Sequence, residues 1–158
     1  MEIRKAKKEE IEIIDKIYCE GIFDEVKLQF PKKTKKEIMS DLEKHKKERI
    51  KGFNKDFVSP LNYLVVIKED NKIVAFGQAK VNKHNKKKAE IEKVYVLKEY
   101  RKRGFASRIL KELLKWLKNK EVESVTSGIF IKNVPSIKIH EKFGFKVTAV
   151  RLQKKFRK

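Results

Sequence analysis

The sequence contains one cysteine, Cys19, and no run of 18 or more apolar residues. A single cysteine excludes an internal disulfide framework and any zinc site that needs several cysteines. The missing apolar run argues against a membrane-spanning helix, and the first residues lack the apolar segment of a signal peptide. We therefore expect a cytoplasmic protein with no metal and no membrane partner.

Glycine and proline are also scarce, with six and three residues, and no linker rich in Gly, Ser or Pro divides the chain. The length of 158 residues is typical of one domain, and a hydrophobic fraction of 40% suffices for a core. The sequence therefore predicts a single domain over residues 1–158.

Acidic residues are too few to balance the basic ones, since 22 Asp and Glu accompany 42 Lys and Arg and the formal net charge is +20. Such a charge would attract nucleic acid or phosphorylated ligands. However, only seven of the basic residues are Arg, the better residue for binding phosphates and base edges, and the Lys are spread along the chain. Two interpretations remain open: a generally solvated basic surface, which we favour, and a functional basic face with nucleic acid as a less favoured partner.

Hydrophobic periodicity predicts an alternation of strands and helices. The predicted strands span residues 2–5, 62–68, 73–81, 89–96, 122–131 and, as one strand or two, 145–156. The predicted helices span residues 8–22, 34–50, 105–118 and 135–143. Thr34 and Glu37 match a capping box at the start of the second helix. This order predicts a mixed α/β domain with a largely antiparallel sheet and helices on its faces.

Residues 94–108 join a strand to the clearest helix through a basic turn, Arg101-Lys102-Arg103-Gly104. The first N–H groups of a helix lack internal partners, and the helix dipole makes this end positive. Gly104 has no Cβ to keep a phosphate away from the backbone. The pattern therefore indicates a phosphate-binding helix start, with a tight turn that carries solvated basic residues as the alternative. It fits neither the dinucleotide-binding nor the P-loop pattern.

Two motifs resemble those of the GNAT family of N-acetyltransferases. Arg101-x-x-Gly104-x-Ala106 is similar to the family's pyrophosphate loop, Arg/Gln-x-x-Gly-x-Gly/Ala, and it stands between a strand and an amphipathic helix, as in the family. One helix and one strand later, the segment from Asn133 to Phe145 resembles the family's block Asn-x-x-Ala/Ser-x-x-x-Tyr-x-Lys-x-Gly-Phe. Together the resembling segments cover residues 90–145, whereas the first 60 residues match only in outline.

The resemblance implies a GNAT fold, with a mixed, mostly antiparallel sheet of six to seven strands flanked by about four helices. It also implies that acetyl-coenzyme A binds along the strand over residues 89–96, where this strand separates from the strand over residues 122–131. Main-chain N–H groups of residues 103–107 would hold the pyrophosphate. The coenzyme-binding residues implied in this way are Val94, Tyr95, Val96, Arg101, Lys102, Arg103, Gly104, Phe105, Ala106, Ser107, Asn133, Ser136 and Lys142.

The apolar residues of the strand over residues 89–96 break its alternation. Ile91 and Val94 are three residues apart, whereas Val94 and Val96 keep the period of two that a regular strand requires. One extra residue would turn all three toward the interior. We therefore predict a β-bulge near Glu92 and Lys93.

Acetyl transfer to an alkyl amine needs a base, because such amines are mostly protonated at neutral pH. Glu90 and Glu92 occupy positions where different GNAT subfamilies carry a catalytic glutamate, so we predict one of them as a direct or water-relayed base. Exposed carboxylates that balance nearby Lys are the alternative. The family's usual proton donor to the departing thiolate is a tyrosine, and His140 stands at that position here. His140 could donate this proton or be a partly buried helix residue, and Tyr95 is a further polar group nearby.

The resemblance thus implies an N-acetyltransferase that acts by direct transfer in a ternary complex of acetyl-coenzyme A and an amine. The acceptor could be a protein N-terminus, a lysine side chain, a polyamine or another small amine. Glu20, Asp24 and Glu25 could attract a cationic amine or could mark an exposed helix end. The alternative function is an acyl-coenzyme A sensor or nucleic-acid-binding module of the same fold without catalysis. Both a monomer and a homodimer are compatible with the sequence.

Overall fold

A computed structural model of the chain describes residues 1–156, in which five strands form one sheet. Neighbouring strands follow the order β1-β2-β3-β4-β5, and every pair is antiparallel except β4 and β5, which are parallel. The strands are Glu2–Lys5 (β1), Asn62–Glu69 (β2), Lys72–Val81 (β3), Lys88–Val96 (β4) and Ser124–Ser127 (β5). The predicted mixed, mostly antiparallel sheet is therefore confirmed.

Five α-helices of residues 1–156 accompany the sheet. They are Ile11–Gln29 (α1), Lys35–Lys44 (α2), Lys46–Val58 (α3), Phe105–Asn119 (α4) and Val134–Lys142 (α5). Single turns of 3-10 helix, Lys8–Glu10 and Lys98–Tyr100, precede α1 and follow β4. Within residues 1–156, no helix is both long enough and apolar enough to cross a membrane.

The sheet has a hydrophobic core on each face. Strand β2 alternates between them, because Val65 and Ile67 pack on the α4 side whereas Leu64 and Val66 pack on the α1 and α3 side. Both faces are covered, so β2 is apolar at consecutive positions rather than at every second one. Burial of each such side chain stabilises the fold by about 1.5–3 kcal/mol.

Helix α4 forms because its apolar residues recur at helical spacing. Ile109, Leu110, Leu113 and Leu117 form one stripe, and none of them exposes more than 1% of its surface. This stripe rests on β2, β3 and β4. The helix therefore holds the end of β4 and the turn that follows β4 in a fixed place on the sheet.

The helix predicted over residues 34–50 is two helices, α2 and α3, that meet at His45. The predicted capping box is confirmed, since Thr34 Oγ1 accepts from the Glu37 amide at 3.2 Å and a Glu37 carboxylate oxygen accepts from the Thr34 amide at 2.6 Å. The break allows Arg49 of α3 to reach the buried carboxylate of Asp15 at 2.8 Å. This long-range ion pair explains why local periodicity missed the break.

The expected count of six to seven strands is wrong for the described residues, which form five. Residues 145–156 form no strand, and the segment leaves Val147, Val150, Leu152 and Phe156 exposed. Strand β5 is also shorter than predicted, because its pairing with β4 ends at Ser127. β-propensity shows only that a segment can pair, and tertiary context decides whether it does.

Gly77 in β3 offers a test of how tightly α4 packs. A Cβ at this position would lie 2.2 Å from Cγ2 of Ile109 and 3.0 Å from Cδ1 of Leu113. We expect Gly77→Ala to lower the free energy of unfolding by about 1–3 kcal/mol, because α4 must shift to accommodate the methyl group. Urea denaturation followed by circular dichroism measures this change.

Gly52 in α3 is the matched control, since a Cβ there meets nothing within 4 Å. We expect Gly52→Ala to raise the free energy of unfolding by about 0.5–1 kcal/mol through helix propensity. A Gly77→Ala protein as stable as the wild type would contradict the described packing.

Candidate functional site

Strand β4 contains a β-bulge at Glu92. Gln78 of β3 pairs with Lys93 and its neighbour Ala79 pairs with Ile91, so Glu92 has no partner in the register. Because of this extra residue, the side chains of Ile91, Val94 and Val96 lie on the same face of the sheet, and all three pack on the α4 core. The predicted bulge near Glu92 and Lys93 is confirmed.

Strands β4 and β5 separate shortly before this bulge. Their parallel pairing begins at Lys88 with Ser124 and ends at Ile91 with Ser127, although β4 continues to Val96. The second half of β4 therefore has an edge that no strand of residues 1–156 covers. An uncovered strand edge presents main-chain N–H and C=O groups to an extended ligand. Val94, Tyr95 and Val96 all lie in this half.

The turn before α4 presents a series of main-chain N–H groups. Gly104 has a φ of 81° and Lys102 a φ of 60°, and these left-handed residues turn the chain into the helix. Within residues 1–156, no N–H group from Lys102 through Gly104, Phe105 and Ala106 to Ser107 donates to a protein acceptor, whereas the Arg108 amide already bonds to the Gly104 carbonyl at 3.1 Å. Adjacent free N–H groups at a helix N-terminus bind anions well.

The arginine side chains of this turn are held by carboxylates of the same chain. Arg101 donates to Asp24 at 2.5 Å and to the Val96 carbonyl at 2.9 Å. Arg103 pairs with Glu69 at 2.9 Å. Lys102 is exposed. The charges of both arginines are therefore paired within the chain, whereas the main-chain amides of the turn have no acceptor among residues 1–156.

The two candidate bases lie in different surroundings. Glu90 is exposed and lies opposite Lys80 of β3. Glu92 is 23% exposed, and its Oε2 lies 3.6 Å from Nζ of Lys93. The bulge interrupts the strand between them, so their environments differ although they are only two residues apart.

His140 is 5% exposed and lies beside the point where β4 and β5 separate. Its Nδ1 lies 2.8 Å from the Ser136 carbonyl oxygen, which can only accept, so Nδ1 carries the proton. In the neutral ring Nε2 then accepts from the Ser127 hydroxyl at 3.1 Å. Ser127 is the last residue of β5 that pairs with β4, and it also contacts the Ile91 carbonyl at 3.5 Å. Sequence reasoning missed Ser127, because no local pattern marks it.

The remaining predicted coenzyme residues lie on α5. Asn133 caps this helix, since its Oδ1 accepts from the Ser136 amide at 3.4 Å. Both residues therefore lie at the start of α5, and the Ser136 carbonyl is the one that His140 contacts. Lys142 is exposed at the opposite end of α5, so the structure does not bring it together with Asn133 and Ser136.

Two cavities lie on the side of the sheet opposite α4. The larger, of about 290 Å³, lies among α1, α2 and α3, and the smaller, of about 200 Å³, lies among α1, α3 and β4. Tyr18 and Arg49 line both. The smaller cavity is further lined by Gly52, Phe53, Asp56 and Lys93. Apart from Lys93, which adjoins the predicted bulge, these residues carry no local signal that sequence reasoning could use.

The acidic cluster of α1 contacts the segment from β4 to α4. Glu20 accepts from the Lys98 amide at 2.6 Å, and Asp24 accepts from Arg101. Glu25 accepts from the Tyr95 hydroxyl at 3.4 Å. The three carboxylates thus fasten the second half of α1 to the end of β4, beside the uncovered edge.

Burial raises the pKa values of both members of the Glu25–Tyr95 pair. Burial raises the pKa of Glu25, and the hydrogen bond from Tyr95 opposes this shift. Burial and the Glu25 carboxylate both raise the pKa of Tyr95. Tyr95 therefore remains a protonated donor in the folded protein at neutral pH.

Comparison with known proteins gives a consistent family and fold. The model of the acetyltransferase (GNAT) family matches residues 20–145. The PaiA N-acetyltransferase from Thermoplasma acidophilum, solved in complex with coenzyme A, is similar with a TM-score of 0.79 at 20% identity over 95% of this chain and 92% of that chain. No curated protein matches the sequence.

Two further solved structures have the same fold. The aminoglycoside N-acetyltransferase AAC(6')-Iy, bound to a bisubstrate analogue of coenzyme A, gives a TM-score of 0.65 at 18% identity over 99% of this chain and 97% of that one. A single-site mutant of the BH1408 protein from Bacillus halodurans gives a TM-score of 0.76 at 12% identity over 99% of this chain and 100% of that one. At such identities the likeness shows the fold alone.

The Glu25 environment predicts a pH-dependent stability. We expect Glu25→Gln to raise the free energy of unfolding at pH 7, because the amide oxygen can still accept from Tyr95 without the cost of a buried charge. Since the folded pKa of Glu25 is raised, the wild type recovers this cost as pH falls through that pKa, and the difference narrows toward about pH 4. Urea denaturation at both pH values measures the difference.

Glu12→Gln on the exposed side of α1 is the matched control, because it removes the same charge without a Tyr95 contact. A difference between Glu25→Gln and wild type that grows on acidification would contradict the assigned environment.

Proposed function

Because the chain belongs to the GNAT acetyltransferase family, we propose that it transfers the acetyl group of acetyl-coenzyme A to a primary amine in a ternary complex. The observation that carries this proposal is the turn at Gly104, whose adjacent main-chain N–H groups have no protein acceptor among residues 1–156. A diphosphate supplies several acceptor oxygens and negative charge to such a helix start.

The residues present fit the coenzyme along two further parts of its length. The uncovered edge of β4 offers the main chain of Val94 and Val96 to an extended arm, in the manner of an added strand. Asn133 and Ser136 would flank that arm from the start of α5. The coenzyme supplies the activated thioester, and the chain positions the thioester and moves protons.

Glu92 is the better placed of the two candidate bases. It lies in the bulge where β4 has left β5, and it is partly buried beside the cavity of about 200 Å³. A carboxylate there can take the proton that makes an ammonium non-nucleophilic. Glu90 is exposed and lies before the separation, so it would act only through water.

His140 and Ser127 form the candidate proton donor to the departing thiolate. The fixed contact between Nδ1 and the Ser136 carbonyl leaves Nε2 directed at the Ser127 hydroxyl. A charged His140 could pass its Nε2 proton through that hydroxyl. This arrangement would replace the tyrosine that the family usually carries.

The acceptor side is the pair of cavities that share Tyr18 and Arg49. The neighbouring folds carry the names of two different N-acetyltransferases, so the fold itself is compatible with more than one amine. Protein N-termini, lysine side chains, polyamines and other small amines are the acceptors to examine.

A substitution at Gly104 tests the coenzyme turn. We expect Gly104→Ala to weaken coenzyme A binding about five- to thirtyfold, because a side chain costs about 1–2 kcal/mol at this left-handed φ and the turn must change to relieve it. Isothermal titration calorimetry with coenzyme A measures the dissociation constant.

Gly144→Ala is the matched control, because Gly144 also has a positive φ, of 88°, but lies after α5. It should lose similar stability and keep the affinity of the wild type. Equal affinities for coenzyme A in both variants would contradict the proposed turn.

A second prediction concerns the base. We expect Glu92→Gln to lower turnover by about a hundredfold or more with unchanged coenzyme affinity, because the amide cannot accept the proton of the amine. Glu90→Gln should have a smaller effect. Release of the coenzyme thiol reports turnover over a panel of peptides, polyamines and small amines. Retained turnover in both variants would show that neither glutamate is the base, whereas a wild type that binds coenzyme A but acetylates no amine would favour the binding module.

A further inference from the structure

The smaller cavity already contains a primary amine that belongs to the protein. Nζ of Lys93 lies 5.5 Å from the ring centre of Phe53 and 6.0 Å from that of Tyr18. It donates to Oε1 of Gln78 at 3.0 Å and lies 3.6 Å from Oε2 of Glu92. Only 21% of its side chain is exposed.

These contacts are the ones that an alkylammonium acceptor would require. Two aromatic faces attract the cation, an amide oxygen accepts one N–H, and a carboxylate balances the charge. The amide oxygen is itself fixed, because Nε2 of Gln78 donates to Asp56 at 2.8 Å. The wall of the cavity therefore has the groups that hold a protonated amine, and they hold the ammonium of Lys93.

Lys93 also lies at the place where transfer would occur, and here the reasoning rests on the proposed function. It follows the bulge residue and precedes Val94, on the part of β4 that β5 does not cover. A thioester bound along this part of the strand would lie beside the residue that carries the Lys93 amine. The nearest carboxylate to the amine is the candidate base, Glu92.

We propose that Lys93 is a self-acetylation site. The Lys93 ammonium gives one proton to the Glu92 carboxylate, which passes it to solvent, and the free lone pair attacks the thioester carbonyl carbon. The C–N bond forms, the C–S bond breaks, and the departing sulfur takes the second proton of the nitrogen. The products are the Nε-acetyl-lysine amide and coenzyme A.

Acetylation would change the cavity in a defined way. The neutral amide loses its attraction to the two rings and to the carboxylate, so Glu92 is left without its cation. An external amine could then reach Glu92 in the same cavity. In the unmodified protein, the Lys93 ammonium would therefore occupy the contacts that an external amine needs.

A simple experiment separates directed transfer from random chemistry. The protein is incubated with acetyl-coenzyme A alone, digested with a glutamate-specific protease, and analysed by fragmentation mass spectrometry. Cleavage after Glu92 and Glu99 yields one peptide that carries both Lys93 and Lys98. Lys98 is exposed, so random acetylation favours Lys98, whereas directed transfer favours the less exposed Lys93.

We expect acetyl-Lys93 to form at least about tenfold faster than acetyl-Lys98, at a rate per molecule that does not change on dilution of the protein. Glu92→Gln should slow acetylation at Lys93 and leave Lys98 unchanged, since proton transfer contributes about a hundredfold. Equal rates at the two lysines, or a Lys98 excess, would overturn the proposal.

Coenzyme binding and turnover distinguish this failure from a failure of the proposed function. A protein that binds coenzyme A and acetylates an external amine, but leaves Lys93 unmodified, would remain an N-acetyltransferase without self-acetylation. A protein that neither binds coenzyme A nor acetylates Lys93 would overturn both proposals. The wild-type readout does not depend on whether any variant folds.

Discussion

The unpaired residue in β4, Glu92, is the constraint on which the rest of the site depends. Because side chains alternate along a strand, one residue more or less reverses the direction of every residue that follows. Without the bulge, Val94 would turn away from Ile109 and Leu113, and the Lys93 ammonium would enter that apolar core at a cost of several kcal/mol. The bulge resolves both conflicts at once, and it does so where β4 leaves β5. The direction of Val94 into the α4 core and the position of Lys93 at the smaller cavity therefore follow from one irregularity.

The contacts between α1 and the end of β4 connect the two halves of the site. Asp24 accepts from Arg101 and Glu20 accepts from the Lys98 amide, so the turn that leads to Gly104 is fixed to α1, which lines both cavities. Arg101, the arginine of the motif that resembles the pyrophosphate loop, thus pairs with Asp24 of the same chain. Its contacts with Asp24 and the Val96 carbonyl fix the position of the turn, and the main-chain N–H groups that follow have no acceptor among residues 1–156.

Local patterns predicted the elements whose determinants are local. The α4 stripe, the Thr34 capping box and the bulge could all be predicted, because each depends on residues a few positions apart. The break at His45 could not, since the Arg49–Asp15 pair joins residues 34 positions apart. The prediction of a strand after Phe145 also failed, because apolar alternation shows that a segment can pair but not whether the tertiary structure pairs it. In the site, the backbone turn was predictable, but tertiary packing alone brings Ser127 to His140 and Tyr18 to Arg49.

The distribution of charge explains why a net charge of +20 says little about the site itself. Arg49, Arg101 and Arg103 each pair with a carboxylate of the same chain, so the arginines nearest the site are neutralised locally. Exposed lysines act on any anion, but salt screens them over about 8 Å at physiological ionic strength. Main-chain N–H groups act only at contact and only in the geometry that Gly104 permits. Selectivity for a diphosphate would therefore come from the uncharged backbone, and the lysine-rich surface would mainly raise the rate of encounter.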